Sequence, residues 1–506
     1  METKTLLKLQ NGSDIRGIAC EGIEGENVNL TPEISNIIAQ SFASWLSKKT
    51  GKQISDLKIG VGRDSRITGE SILSSVVQGL LSCGASVTDC GMATTPAMFM
   101  SIVFEETKFD GSIMITASHL PFNRNGLKFF DKDGGLEHDD ITQILEGAAS
   151  FQTSQNNVAS KANLSHFDLI TLYASHLANT IKTGINAKAG TKNTDKPLSG
   201  LKIVVDAGNG AGGFFVSKIL DVLGADTKGS QFLEPDGMFP NHIPNPENKA
   251  AMEAIQSAVL KNKADLGLIF DTDVDRMSAV LPDGTEVNRD AIIALVAAIL
   301  APEYPNSTII TDSVTSDRLT RFLEKELGLV HHCFKRGYKN VINECKRLNA
   351  QGTVSPLAME TSGHGALKDN FYLDDGAFLA VKIIIALANA ASQGKTLASL
   401  IEKLDPLVEA QELRYKINCE DFGSYGDKVL AEFKKRAEEA KMIMPKSYEG
   451  VRISFQDEDK KGWLLLRKSL HDPVMPLNIE GERPGDAKKI LETAQKLLQG
   501  FDKLSL

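Results

Sequence analysis

Short runs of β-branched and other apolar residues recur along the chain. Each is followed by a segment whose apolar positions fall three and four apart. Leu57–Val61 predicts a strand, and the spacing over Gly69–Ser82 predicts the helix after it. Gly111–Thr116 predicts a strand that ends in a polar loop. Leu201–Asp206 predicts another, followed by a glycine-rich turn and a helix over Gly213–Leu223. Leu266–Phe270 ends at an acidic loop, and Thr308–Thr311 precedes a helix near Ser316–Leu327. Strand, loop and helix in alternation predict an α/β fold with parallel or mixed sheets covered by helices. In such sheets ligands bind at the loops following the carboxyl ends of strands, so chemistry is sought there.

Three stretches interrupt the alternation. Gln152–Asn163 and Asn186–Ser199 are rich in Ser, Thr, Asn, Lys and Gly and predict one linker region made of loops. Ala301–Ser307 is polar and contains proline, and near Leu404–Glu412 the pattern changes character. Beyond it, a charged helix over Ala431–Met442 and strands over Gly450–Phe455 and Gly462–Arg467 predict a smaller C-terminal α+β domain.

A chain of 506 residues exceeds what one hydrophobic core supports, so three or four domains are expected. The net charge of -9 argues against a general nucleic-acid binder, because backbone phosphates demand a surplus of Lys and Arg. Six cysteines without CxxC spacing suit neither a zinc site nor a disulfide scaffold. Met1–Gln10 lacks the apolar core of a secretory signal, and Ala291–Pro302 is too short to span a bilayer. Together these predict a cytoplasmic protein without membrane or nucleic-acid partners, although a removed organellar transit peptide would leave no trace.

Four loops carry candidate chemistry. In Thr116-Ala117-Ser118-His119-Leu120-Pro121, followed by Asn125-Gly126-Leu127-Lys128, a serine sits on a tight loop behind an apolar strand. That placement suits a nucleophile or phosphocarrier, with His119 and Lys128 able to supply charge, and a plain polar loop is the alternative. Asp271-Thr272-Asp273-Val274-Asp275-Arg276 presents three alternating carboxylates behind Leu266–Phe270. Such a set converges on a hard cation such as Mg²⁺. An EF-hand is excluded, since its required Gly and Glu positions hold Arg276 and Pro282. Glu360-Thr361-Ser362-Gly363-His364-Gly365 suits a sugar's hydroxyls, or is a simple turn. In Arg467-Lys468-Ser469-Leu470-His471-Asp472-Pro473 an arginine can grip phosphate bidentately while Ser469 assists, or the loop is a basic surface turn.

On these motifs the chain resembles the α-D-phosphohexomutase superfamily, the phosphoglucomutase, phosphomannomutase and phosphoglucosamine mutase group. Gly12-Ser13-Asp14-Ile15-Arg16-Gly17, Val61-Gly62-Arg63-Asp64-Ser65-Arg66, Val204–Gly212 and Pro235–Asn241 are similar to further signatures, so the resemblance covers essentially the whole chain. It implies three similar α/β domains (1–190, 191–300, 301–406) and a C-terminal domain (407–506) around a central cleft. It implies that Ser118 carries the phosphoryl group, with Arg16, Lys128, His119 and Arg276 beside it, and that Asp271, Asp273, Asp275 and Ser118 hold Mg²⁺. Lys339, Glu360, Ser362, His364, Arg467, Ser469 and His471 are the implied substrate contacts. The family's phosphate loop reads R-x-S-G-T-E-P, so Leu470 and His471 depart from it.

The implied reaction interconverts hexose 1- and 6-phosphates of glucose or mannose through a hexose 1,6-bisphosphate, which also serves as activator. Phosphorylated Ser118 gives up its phosphoryl group and recovers one after the intermediate turns over. The alternatives are a phosphoglucosamine mutase, a phosphatase, and a lapsed sugar-phosphate-binding regulator motivated by the altered fourth loop. Hexose phosphates are the expected partners, and a monomer or weak dimer the expected state.

Overall fold

The computed structural model describes residues 2–152, 163–189, 195–469 and 472–506. Its chain forms two compact units, residues 1–288 with 362–399, and residues 289–361 with 400–506. No helix among the described residues is long and apolar enough to cross a membrane.

The first unit contains two mixed sheets. The larger places Lys58–Arg63 at its parallel heart, flanked by Gly111–Ile115 on one side and Ser86–Met92 on the other. Arg124–Asp131 then runs antiparallel to Gly111–Ile115 and pairs with Asp14–Ile18, so Arg16 lies opposite Gly126. Helix Pro32–Thr50 covers this sheet. Thr31 caps it by accepting from the Ile34 amide at 3.3 Å, and Gly51 ends it in the left-handed conformation. The predicted helix Gly69–Ser82 has those bounds and packs against it through Ile72, Leu73, Val76 and Leu80.

In the second sheet Leu266–Phe270 lies parallel to Ile203–Asp206 and antiparallel to Met277–Val280. All five residues of Leu266–Phe270 are buried, which explains the unbroken apolar run in the sequence. Helix Gly376–Ser392 rejoins this unit late in the chain. Asp375 caps it, accepting from the Phe378 amide at 2.8 Å and from the Tyr173 hydroxyl at 2.7 Å. At its first residue the backbone amide donates to Val274 at 3.1 Å. A Cβ on Gly376 would stand 2.7 Å from the Arg276 carbonyl carbon, so only glycine allows the helix so close to the acidic loop.

The second unit begins with three parallel strands, Val330–Cys333, Thr308–Thr311 and Leu357–Met359. It ends in an antiparallel sheet in the order Val451–Gln456, Lys461–Leu466, Val474–Gly481, Glu409–Ile417, Leu504–Ser505. Helices Phe422–Glu439 and Asp486–Leu497 bury Val429, Phe433, Ile490 and Ala494 against it.

Several expected boundaries move. The loop expected over 186–199 is helical as far as Ala189, the end of Leu169–Ala189, and most of the expected linker 152–163 falls outside the described residues. The charged C-terminal helix begins at Phe422, because Asp421 caps it through the Ser424 amide at 3.1 Å. The helices predicted near 213–223 and 316–327 contain π turns at Val216–Leu220 and Phe322–Glu326.

Candidate active site

The carboxyl end of Gly111–Ile115 delivers the Thr116–Pro121 loop. Ser118 is 3 % exposed and takes the left-handed conformation, φ 50°, which costs a residue with a Cβ about 1–2 kcal/mol. The surrounding protein holds it there. The Ser118 amide donates to the Thr116 hydroxyl at 2.9 Å, and the Arg66 guanidinium takes the Ser118 carbonyl. The same guanidinium reaches the carbonyls of Leu120 (2.7 Å), Pro121 (2.8 Å) and Arg124 (2.9 Å), while its Nε stands 3.4 Å from Asp64. Burial pushes the Asp64 carboxyl up to about 6, against the pull of Arg66.

The Ser118 hydroxyl donates to Asp271 Oδ2 at 2.9 Å and accepts from Arg276 Nη2 at 2.8 Å. The acidic loop that supplies both groups also holds Val274 at φ 66°, a second strained position for a β-branched residue. His119 Nδ1 contacts Ser118 Oγ at 3.2 Å and the Arg276 guanidinium more closely. Burial, with Arg276 and Arg16, pushes the His119 imidazole down to about 2. This corrects the expectation that His119 supplies charge: it is a neutral acceptor. Lys128 does carry charge into the site, donating to Asp275 Oδ2 at 2.6 Å and standing 3.7 Å from Asp273. Arg16 pairs with Asp14 at 3.1 Å and contributes its charge to the field at His119.

Asp271, Asp273 and Asp275 are all buried and offer oxygens within 4.8 Å of one another. Burial and the charges of Asp275 and Asp273 hold the Asp271 carboxyl well above the usual carboxylate range. Burial acts the same way on Asp275, but Lys128 and then His364 outweigh it and hold that carboxyl low. Three carboxylates packed this closely repel one another unless a proton or a cation joins them. Thr95 Oγ1 donates to Asp273 Oδ2 at 2.5 Å, while Asp273 Oδ1 and Asp275 Oδ1 are buried without a hydrogen-bond partner among the described residues. Three oxygen donors, two of them with a stranded acceptor, could hold a hard divalent cation.

His364 and Ser362 complete this part. His364 Nδ1 lies 2.9 Å from the Ser362 hydroxyl, and its Nε2 stands 3.6 Å from both Asp275 and Asp374. Burial lowers the imidazole's proton affinity, with Arg276 and Lys128 adding to it and Asp275 opposing.

Lys339, Glu360, Arg467 and Ser469 belong to the second unit, and His471 lies outside the described residues. Glu360 Oε1 accepts from the Gly337 amide at 2.6 Å, holding the turn that opens helix Tyr338–Ala350. The Ser469 hydroxyl accepts from the Asp472 amide at 3.2 Å. Arg467 is partly buried, and its proton affinity is lowered by burial and then by the charge of Arg336.

Sequence reasoning missed several participants. Arg66 stood in a quoted motif with no role, although a buried arginine has to find acceptors. Thr95 follows a strand as an ordinary helix-starting threonine, and Asp374 and Arg336 carried no spacing signal at all.

Comparison with known proteins gives three domain matches. The phosphoglucomutase/phosphomannomutase α/β/α domains I, II and III match residues 8–155, 172–284 and 288–407, and the antiparallel sheet domain follows. The chain is 27% identical over 484 residues to a phosphomannomutase/phosphoglucomutase of Pseudomonas syringae, covering 94% of this chain and 92% of the relative. It is 29% identical to a phosphoglucomutase/phosphomannomutase of Thermococcus kodakarensis, covering 97% and 98%. An X-ray structure of a phosphoglucomutase/phosphomannomutase family protein from Burkholderia thailandensis shares the fold. Its TM-score is 0.77 at 24% identity, covering 99% and 98% of the two chains.

Proposed function

This chain belongs to the phosphoglucomutase/phosphomannomutase family and is a phosphohexomutase, and we propose from that premise that it interconverts the 1- and 6-phosphates of glucose, mannose or both through a phosphoserine at Ser118. The substrates are those named for the Pseudomonas and Thermococcus relatives. The observation that carries the reading is the Ser118 hydroxyl held between Asp271 and Arg276 on a buried bed of carboxylates. An unreactive serine gains nothing from so costly a setting.

Transfer of a phosphoryl group relies mainly on positioning and on charge placed around its oxygens. Arg276, already bonded to Ser118 Oγ, would accompany the phosphoryl oxygens as they leave or return. Arg16 and Lys128 would extend the positive field. Asp271, Asp273 and Asp275 would hold Mg²⁺, which when bound neutralises charge on the phosphoryl group. His364, its proton affinity lowered by burial and its Nδ1 set against the Ser362 hydroxyl, would be placed to accept a proton from the attacking sugar hydroxyl and return it on the reverse step. Glu360 would recognise the ring hydroxyls and Lys339 would add a donor. Arg467 and Ser469, with His471, would grip the phosphate that is not being transferred.

The test is a coupled assay with glucose 1-phosphate and catalytic glucose 1,6-bisphosphate, run beside mannose, glucosamine and N-acetylglucosamine phosphates. Turnover of the glucose and mannose esters is expected. Turnover confined to glucosamine phosphate would move the substrate assignment, and release of inorganic phosphate in place of isomer would replace the mutase reading with a phosphatase.

A further inference from the structure

The loop entering helix Tyr338–Ala350 is tied at two points, to Glu360, which the substrate reading already uses, and to Glu449. Gly337 donates to Glu360, and the Arg336 amide donates to Glu449 Oε1 at 3.2 Å, an oxygen that also takes the Ser313 hydroxyl. The residue after Glu449 is Gly450, at φ 62°, whose α-carbon backs directly onto the Arg467 loop. A Cβ there would lie 2.9 Å from the Arg467 Cα and 2.2 Å from the Leu466 carbonyl. Two residues of chain therefore connect the Arg336 backbone to that of Arg467, through one carboxylate and one close glycine contact.

We propose that Arg336 is a second guanidinium ligand for the non-transferring phosphate dianion of the hexose phosphate, acting beside Arg467. The proposal rests on the reading of the Arg467 loop as the phosphate site. The charge distribution supports it. The charge of Arg336 acts on Arg467, disfavouring its protonated form, and on Asp312 and Glu412, favouring their ionised forms. The Glu449–Gly450 bridge brings Arg336 and Arg467 to the same region, and Asp312, Glu360, Glu412 and Glu449 are among the acidic residues there. Two like-charged guanidiniums held together repel, and a phosphate dianion neutralises both at once. Among the described residues Arg467 Nε is buried without a hydrogen-bond partner, which leaves a donor for an anion. The altered loop gives the same inference a reason: where the family pattern has Gly-Thr, this chain has Leu470 and His471, and a guanidinium from the neighbouring loop restores a strong donor set.

The experiment measures inorganic phosphate binding by calorimetry, and KM and kcat for both sugar phosphates, in wild type, R336Q, R467Q and the double variant. Loss of a charge-assisted contact predicts phosphate affinity about 10- to 100-fold weaker in R336Q, with KM rising for both the 1- and 6-phosphate and kcat changing far less. Because both arginines hold one anion, the double variant should lose less than the product of the single losses. R336K keeps the charge without the planar fork and should fall between wild type and R336Q, which keeps the proposal testable should R336Q fold poorly. If R467Q loses phosphate affinity while R336Q and R336K match wild type, Arg336 is no ligand and the loop reading stands. If R467Q also binds phosphate normally, the loop reading itself falls, and the proposal with it.

Discussion

Replacing Arg66 by methionine should unfasten the Ser118 loop without touching a reacting group. Methionine fills much of the same volume but presents none of the donors that now reach four carbonyls. The carbonyls of Leu120, Pro121 and Arg124 belong to residues that water can reach, and water can replace much of what they lose. The Ser118 carbonyl belongs to a buried residue, and stranding it costs about 1–3 kcal/mol. Asp64 loses its cation as well. Its carboxyl, already at about 6, would take up a proton at pH 7 at a cost of about 1 kcal/mol more. The strain at Ser118 would then be released by local opening, so the loop's opening free energy should fall by about 2–4 kcal/mol. Hydrogen exchange of peptides covering Thr116–Asn125 should accelerate by roughly 30- to 1,000-fold, those values being the same energies expressed as rates. The kcat should fall by about 100-fold with KM for sugar phosphates changing little, since the loop carries the transferred group and the substrate grip lies elsewhere. Arg66→Lys keeps the charge beside Asp64 but not the fork, and should recover the Asp64 part only. Unchanged exchange in Thr116–Asn125 together with kcat within twofold of wild type would refute this account.

Three further outcomes follow from the same geometry. Ser118→Ala should lower turnover by several orders of magnitude and lack the phosphate adduct expected in the intact mass of wild type; near-normal activity sinks the phosphoserine mechanism. Thr95→Val removes the donor that fixes Asp273, and should weaken Mg²⁺ binding by about 10-fold in a titration; full activity of wild type in excess EDTA would instead overturn the metal requirement. Glu480, held up at about 7 by burial and by Asp290 while accepting from Trp463 Nε1 at 3.1 Å, binds its proton more tightly folded than unfolded. Its contribution to stability is therefore present below about pH 4.5 and is lost as pH rises to about 7. Glu480→Gln should flatten that slope and stabilise the protein at neutral pH by up to about 3 kcal/mol, and parallel curves for the two proteins would contradict it.

The elements that the sequence predicted well are those whose burial is one-sided or complete. Gly69–Ser82 shows its apolar stripe, and Leu266–Phe270 is apolar throughout because both faces are covered. The acidic loop behind that strand was legible for the same reason, since three carboxylates at a buried strand end need an electrostatic explanation. What escaped reading depends on partners remote in sequence. Thr95 meets Asp273 across 178 positions, and Arg66 meets the Ser118 loop across more than fifty. The charge state of His119 escaped too: an imidazole beside Ser118 reads as a cation until Arg276 and Arg16 are known to face it. The start of the C-terminal helix was missed because Phe422–Gly426 contains two glycines, and its cap, Asp421, overrides their poor propensity.

The return of residues 362–399 to the first unit sets an order of events during synthesis. Helix Leu169–Ala189 and strand Leu266–Phe270 both rest on helix Gly376–Ser392, which the ribosome completes roughly a hundred residues after Asn288. At about 5–20 residues per second that interval lasts roughly 5–20 s. Throughout it the nascent first unit shows an apolar flank whose cover has not been translated, while residues 289–361 emerge beside it. A chaperone that shields hydrophobic segments has its natural window there, and a stop codon placed between 361 and 376 should yield an insoluble product although every residue of the acidic loop has been made.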